Sequence, residues 1–517
     1  MASFSTDKKR NVVPNWREYN KTAKLGEFGD SGHPLTAVTT FFPIDEYVLD
    51  WQSNKTIPFA GDLISAAILN GQMTNKDAVE AAQFILAHKD EASVALIHAA
   101  ESLVSSPLSP NARRVQSIDD KLICISSQEE ASKKALKLLK QNRDFFCYNP
   151  IAYCEMGRHY VNLGQLEKAK DMMDIAVHLA PQHRYICRSA ARFYLHYGDE
   201  DKARYVVAHN PWVTKDPWLM ASEIAINTLM GRSSKLIKKG REIIQSKNLS
   251  PFSISELSSA IGSLEMLNNN RKNCREMFRT ALIRPNDNSL AQAKWLISEH
   301  DELSFDFADY SYLTNTYEAD AMSAYMLDEH EKALDTAIDW IEDMPFTRRP
   351  VQFAADMAYT YVKDFPTAIA VLEHGLKANP CDAVLLNNLA YAYALNEQPD
   401  KAAQKIEEAK RLPSELRPAD IRICMKATEG LIEYRRGNFA EGEKLYTEAI
   451  QQATNDLADK ELATKALLNY AREEIRSNPA FDMKLITMLD DIPDDSKETK
   501  QLKRDVVNAA EEQKEHK

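Results

Sequence analysis

Residues 150–181 read PIAYCEMGRHYVNLGQLEKAKDMMDIAVHLAP. Numbered from Pro150 as position 1, large residues fall at 4, 7, 11 and 24 (Tyr153, Met156, Tyr160, Met173). Small residues fall at 8, 20 and 27 (Gly157, Ala169, Ala176), and Pro181 is position 32. Apolar residues recurring at i, i+3, i+4 and i+7 predict helix rather than strand. The pattern returns in units starting at Arg184, Ser255, Thr314, Arg349, Ala383 and Ile423. The small residue of the second helix steps from Ala169 to Ala203, and from Ala333 to Ala368 to Ala402, at intervals of 34 or 35. Each unit therefore predicts two antiparallel helices. Small residues let the pair approach closely and large ones fill the space between pairs. One pair alone leaves an apolar face exposed, so stacking is obligatory.

Residue types and period together resemble the tetratricopeptide repeat, over about 150–285 and 314–450. The resemblance implies an all-α solenoid of helical hairpins wound into a right-handed superhelix, here in two subarrays behind an extended N-terminal arm. The expected organisation is an arm at 1–57, a helical region of decayed repeats at 58–148 and a first subarray at 149–285. An insertion or break at 286–313, a second subarray at 314–451 and C-terminal capping helices at 452–517 complete it. Residues 212–250 hold a degenerate unit. The break is marked by a step of 59 between Cys274 and Ala333, around the acidic, aromatic stretch HDELSFDFADYSYLTN.

Outside the repeats, helices are expected at 44–52, 76–88, 91–105, 128–141, 458–477, 480–491 and 496–516. Thr74 with Asp77, and Ser117 with Asp120, resemble N-terminal caps. The last helix is polar enough to close the array's end. The arm carries Pro14, Pro34 and Pro43 but also Trp16, Phe41, Phe42 and Trp51, which are too apolar for a free tail. It is expected either to pack on the N-terminal end of the array or to insert into a partner or second protomer.

Composition narrows the chemistry. Only 15 glycines and 21 prolines occur in 517 residues, which favours helix. No apolar run is long enough to span a membrane, and MASFSTDKKRNVVPNW carries no apolar core, so a cytoplasmic protein without a signal peptide is expected. The seven cysteines are scattered and never form C-x-x-C, which fits free, mostly buried thiols. No phosphate-binding loop, dinucleotide fingerprint, H-E-x-x-H or G-x-S-x-G occurs. The histidines lack metal-ligand spacing, so no metal, cofactor or catalytic residue is assigned.

Charge is uneven. The chain carries −12, yet residues 184–284 hold 17 Lys and Arg against 9 Asp and Glu. By the family resemblance, positions 2, 5, 9, 12 and 13 of each first helix line the concave groove. That places Arg158, Asn162, Tyr185, Arg188, Arg192 and His196 in one groove, with Arg188 and Arg192 on a common helix face. Arginine forks suit carboxylates and phosphates. The group fits an acidic or phosphorylated segment, or pairing with acidic residues of neighbouring repeats. A second groove would hold Asn387, Asn388 and Tyr391, an asparagine at position 6 resembling the residue with which family members hold an extended ligand. Lys235, Lys238, Lys239, Arg241, Arg271, Lys272, Arg275 and Arg279 map to second helices and an outer, solvated face.

These features predict a non-enzymatic scaffold or adaptor. It would bind a peptide or helix of a protein partner through a concave groove, the N-terminal arm, or both. Nucleic-acid binding by the basic middle and a regulatory subunit of a separate enzyme are the alternatives. Self-association is open, and no membrane partner is expected.

Overall fold

The computed structural model describes residues 10–17, 44–53, 55–69, 72, 75–92, 94–104, 118–142, 147–246, 249, 251–299, 305, 307, 310, 313, 316–477 and 496–515. Four helices, α1 (Ile44–Ser53), α2 (Ile57–Leu69), α3 (Lys76–Ala87) and α4 (Val94–Val104), form a small unit with its own core. The side chain capping α3 is Asn75, which accepts from the Asp77 and Ala78 amides, in place of the expected Thr74. Helix α5 (Ile118–Gln141) is longer than expected and leads into the array.

Hairpins follow in the expected register. They are α6 (Pro150–Asn162) with α7 (Leu166–Leu179), α8 (Arg184–Tyr197) with α9 (Glu200–Ala208), α10 (Pro217–Leu229) with α11 (Ile237–Ser246), and α12 (Pro251–Leu267) with α13 (Arg271–Ala281). Beyond a single helix, α14 (Asp287–Glu299), come α15 (Tyr317–Met326) with α16 (His330–Asp343), and α17 (Arg348–Asp356) with α18 (Phe365–Ala378). The last pairs are α19 (Ala383–Leu395) with α20 (Pro399–Lys410), and α21 (Ala419–Arg435) with α22 (Phe439–Asn455). Helices α23 (Lys460–Ser477) and α24 (Lys497–Glu515) end the described chain. Among the described residues there is no strand. The fold is a solenoid of tetratricopeptide-type hairpins.

The start of three hairpins follows from local chemistry. Asn149, Asp216 and Asp382 each accept hydrogen bonds from the second and third amides after them, and Pro150 and Pro217 occupy the first helical position, where no amide is needed. Ala169, Ala176, Ala203, Ala333, Ala368 and Ala402 are fully buried, as their positions between helices require.

The expected insertion at 286–313 contains α14, packed between α12 and α15, so a helix continues the stack where a break was anticipated. Phe305, Phe307, Tyr310 and Leu313 pack against Cys274, Phe278, Leu290 and Leu296, and the Tyr310 hydroxyl donates to the Leu282 carbonyl at 2.7 Å. Aromatic side chains here supply the apolar cover that a second helix gives elsewhere.

The array curls until its start meets its later repeats. Lys121 on α5 reaches Asp335 (2.7 Å) and Asp339 (3.0 Å) on α16, and Glu129 meets Lys377 on α18 at 3.2 Å. Gly164, in the turn between α6 and α7, has φ 66°, and a Cβ there would lie 2.6 Å from the Lys377 carbonyl oxygen. Conformation and space both demand glycine. One core cluster accordingly joins α6–α9 residues to Met344, Phe346 and Ala378.

Candidate functional site

Residues 10–17, RNVVPNWR, lie inside the concave channel as a non-helical segment, with a tight turn in which the Val13 amide donates to the Asn11 carbonyl at 2.8 Å. Val12 and Trp16 are fully buried there. The Trp16 indole packs against Phe193 (centroids 6.0 Å, 79°) and Phe346 (5.4 Å, 56°). Burying one indole is worth about 4 kcal/mol as an upper figure. Polar groups of the channel clamp both ends. Arg10 makes a two-pronged pair with Glu318, both contacts 2.8 Å, and donates to Gln292 at 2.6 Å and Asn288 at 3.2 Å. Arg17 pairs with Asp287 and Asp343, each at 2.6 Å. Asn15 donates to Asp287 at 2.9 Å.

The channel also reads the arm's backbone. Gln292 donates to the Arg10 carbonyl at 3.1 Å and Asn288 to the Val13 carbonyl at 3.0 Å. The Tyr185 hydroxyl sits 3.3 Å from the Arg17 carbonyl and 3.1 Å from Glu155. Burial alone would raise the Glu318 pKa, but Arg10 and Arg349 hold it down at about 2. Burial likewise opposes the charge on Arg17, and Asp287 and Asp343 more than offset it.

Of the three arginines expected in the groove, Arg188 pairs with an acidic residue of another repeat, Glu256 on α12. Arg158 pairs with Glu155 at 3.2 Å, both buried. Arg188 pairs with Glu256 at 2.7 Å, donates to the Trp218 carbonyl at 2.9 Å and sits over the Trp218 ring. Arg192 donates to Thr347 at 3.4 Å. His196 is edge-on to Phe346, and burial, with Arg192 and Arg348 nearby, pushes its imidazole down to about 3. These side chains shape the channel wall, and its charge toward the arm comes from Asp287, Glu318 and Asp343. Asn162 departs from the expectation: its amide reaches Ser132 on α5 at 3.4 Å, away from the arm.

Asp287, Asn288 and Gln292 escape the sequence reading because they fall in the expected insertion at 286–313, and Asp343 because it ends a second helix, outside the groove positions of the repeat. Glu318 is position 5 of the unit from Thr314, a groove position by the family pattern, and could have been found.

The second expected groove is filled from the C-terminal side. Asn387 and Asn388 are fully buried, and Asn387 accepts from Thr428 on α21 at 3.0 Å. The Tyr391 hydroxyl donates to Asn469 on α23 at 2.8 Å. Helix α24, expected to close the array's end, packs on α23 through Leu502, Val506, Ala509 and Ala510 and also reaches earlier repeats. Lys497 meets Asp328 at 2.7 Å and the Met326 carbonyl at 2.8 Å. Lys363, in the left-handed residue after a π-helical turn at Met357–Val362, pairs with Asp505.

Of the expected arm contacts, Trp16 is in the channel. Trp51 belongs to the α1–α4 core, edge-on to Phe84 at 5.3 Å, and Phe41 and Phe42 lie outside the described residues. Lys235, Lys238, Lys239, Arg241, Arg271, Lys272 and Arg279 are exposed on α11, α13 and the turn before α11, with Arg241 paired to Glu265. Among the described residues no three His, Cys, Asp or Glu side chains converge as metal ligands, and no helix is long and apolar enough to cross a membrane. The seven cysteines are free; four are buried and Cys381 is exposed.

No family model matches the sequence, and no curated protein matches it. Solved structures similar to it include yeast Tom70 (16% identity, 77% of this chain and 97% of that one, TM-score 0.31). A human IFIT1 dimer with PPP-AAAA gives 14% identity, 77% and 99% coverage and a TM-score of 0.35. The APC/C hetero-tetramer Cut9-Hcn1 gives 13%, 90% and 95%, and 0.30. These superpositions are loose, and the fold assignment rests on the hairpins themselves: the chain is a tetratricopeptide-type helical-hairpin solenoid.

Proposed function

We propose that this chain is a non-enzymatic scaffold whose concave channel handles extended peptide segments of protein partners. The carrying observation is its own arm, held in the channel by an aromatic anchor, two clamped arginines and side-chain hydrogen bonds to backbone carbonyls. Side chains that bond backbone carbonyls suit any segment of similar character. The arm supports a basic, tryptophan-bearing segment as the channel's ligand, since Asp287, Glu318 and Asp343 face it. Being tethered, the arm competes at millimolar-range effective concentration, so a partner must displace it or bind when it is withdrawn.

The test is affinity purification from native cells, with and without nuclease, of the wild-type chain and of the full chain carrying Arg10→Glu and Arg17→Glu. The expected result is a protein that survives nuclease and is enriched on the variant. Recovery of nucleic acid alone, or of identical material on both chains, contradicts the reading.

A further inference from the structure

The cleft between α5 and the first hairpin differs chemically from the arm's channel. It is an open surface cleft of about 560 Å³, within the range of small-ligand sites. Lys133, Lys137 and Lys140 line it from α5, and Lys168 lines it from α7. Tyr160 on α6 forms part of its floor. The Lys140 and Lys168 ammonium groups approach the Tyr160 ring from the two walls, 5.3 and 5.8 Å from its centroid. Cation–π attraction thus holds two long, rotamer-rich side chains near one place.

Among the described residues lining this cleft there is no carboxylate. Lys133 leans on Glu129, outside the lining, at 2.5 Å. Lys168 is hydrogen-bonded to the neutral Gln165 amide at 2.9 Å. Arg158 and Arg188 of the concave channel are matched with Glu155 and Glu256, whereas the cleft gathers four positive groups in a chain of net charge −12. Like charges in one cleft repel one another, and focus a field that an anion relieves.

We propose that this cleft binds a small ligand carrying two or more clustered phosphates, with Lys140 and Lys168 as its principal donors. Compact ammonium groups with rotatable protons fit the tetrahedral oxygens of phosphates, while the planar arginine fork that favours carboxylates is absent from the described lining. The site is separate from the arm's channel, so it stands or falls independently of the scaffold reading.

Inorganic tripolyphosphate titrated calorimetrically into the full chain, at low and at physiological salt, tests this. The expected result is one site per chain, weakened by salt. Lys140→Gln with Lys168→Gln should lose about tenfold or more in affinity. Lys235→Gln with Lys272→Gln, on the outer face, should bind as wild type. If the cleft pair alters the melting profile, Lys137→Gln serves in its place, since it leaves the Tyr160 contacts intact. Equal weakening in both pairs, undiminished binding in the cleft variants, or no binding to wild type overturns the proposal. Binding of a glutamate-rich peptide but not of tripolyphosphate also overturns it, and makes the cleft a peptide site.

Discussion

The Arg17 guanidinium lies 2.6 Å from the Asp343 carboxylate, across 326 residues of sequence. Asp343 is almost fully buried and Arg17 about a quarter exposed. Losing one partner therefore strands a desolvated charge, which costs more than the pair contributes as a pair. Arg17→Ala should lower stability by about 2 kcal/mol, discounted for the partial exposure of Arg17. The double variant Arg17→Ala with Asp343→Ala should cost less than the two single changes added. Denaturant titration of the four proteins measures the coupling, and strict additivity would show the contact to be inert.

Trp16→Ala removes the indole from between Phe193 and Phe346. Large-to-small changes at such sites cost about 3–5 kcal/mol. That loss should fall on arm docking before the array, because repeats are held by their own neighbours. Protease should then cut within 10–17 while the fragment from α6 to α22 persists. Simultaneous loss of both would make the arm an integral part of the core.

Acid should release the arm. The Glu318 pKa is depressed in the folded chain, so its contribution is fully present above its ordinary value near 4.5. It is lost as pH falls toward about 2. The effect is worth up to about 3 kcal/mol. Glu318→Gln should weaken arm docking at neutral pH and flatten the acid dependence between those limits. Arm protection followed by hydrogen exchange across that range is the readout.

Two glycines at position 8 of their units should respond oppositely to alanine. At Gly430 a Cβ would lie 2.8 Å from the Tyr446 ring, so Gly430→Ala should cost about 1–3 kcal/mol. At Gly157 the nearest atom would be 3.4 Å away, a contact the structure tolerates. There the helix propensity of alanine, up to about 1 kcal/mol, should leave stability unchanged or raised. Melting curves of the two variants decide this, and equal losses would contradict the hairpin packing described.

The contrast shows where the sequence was legible. Ala169, Ala203, Gly262 and Gly430 sit where helices touch, and the repeat period reveals such positions because each depends only on its own hairpin and the next. Trp16 was legible as a residue needing cover, yet nothing local says what covers it. Asp343 and Asp287 become its neighbours' clamps only because the superhelix turns, and that long-range geometry leaves no periodic trace. Glu318 is legible by position, as the fifth residue of the unit from Thr314. Of the arginines expected in the groove, Arg158 and Arg188 meet carboxylates within the array, and Arg192 meets the Thr347 hydroxyl. Helix α24 was visible as a helix, but its return to Asp328 was not, because a polar helix fits an end cap equally well.

The central claim is that the arm occupies the channel of its own chain. Benzoylphenylalanine in place of Trp16 tests it most directly, by photo-cross-linking in the full chain followed by peptide mapping. The account predicts adducts within one chain, on α8 around Phe193 and on the turn at Phe346. Adducts joining two chains, or no adduct above that seen with the probe at Lys238 on the outer face, would contradict it.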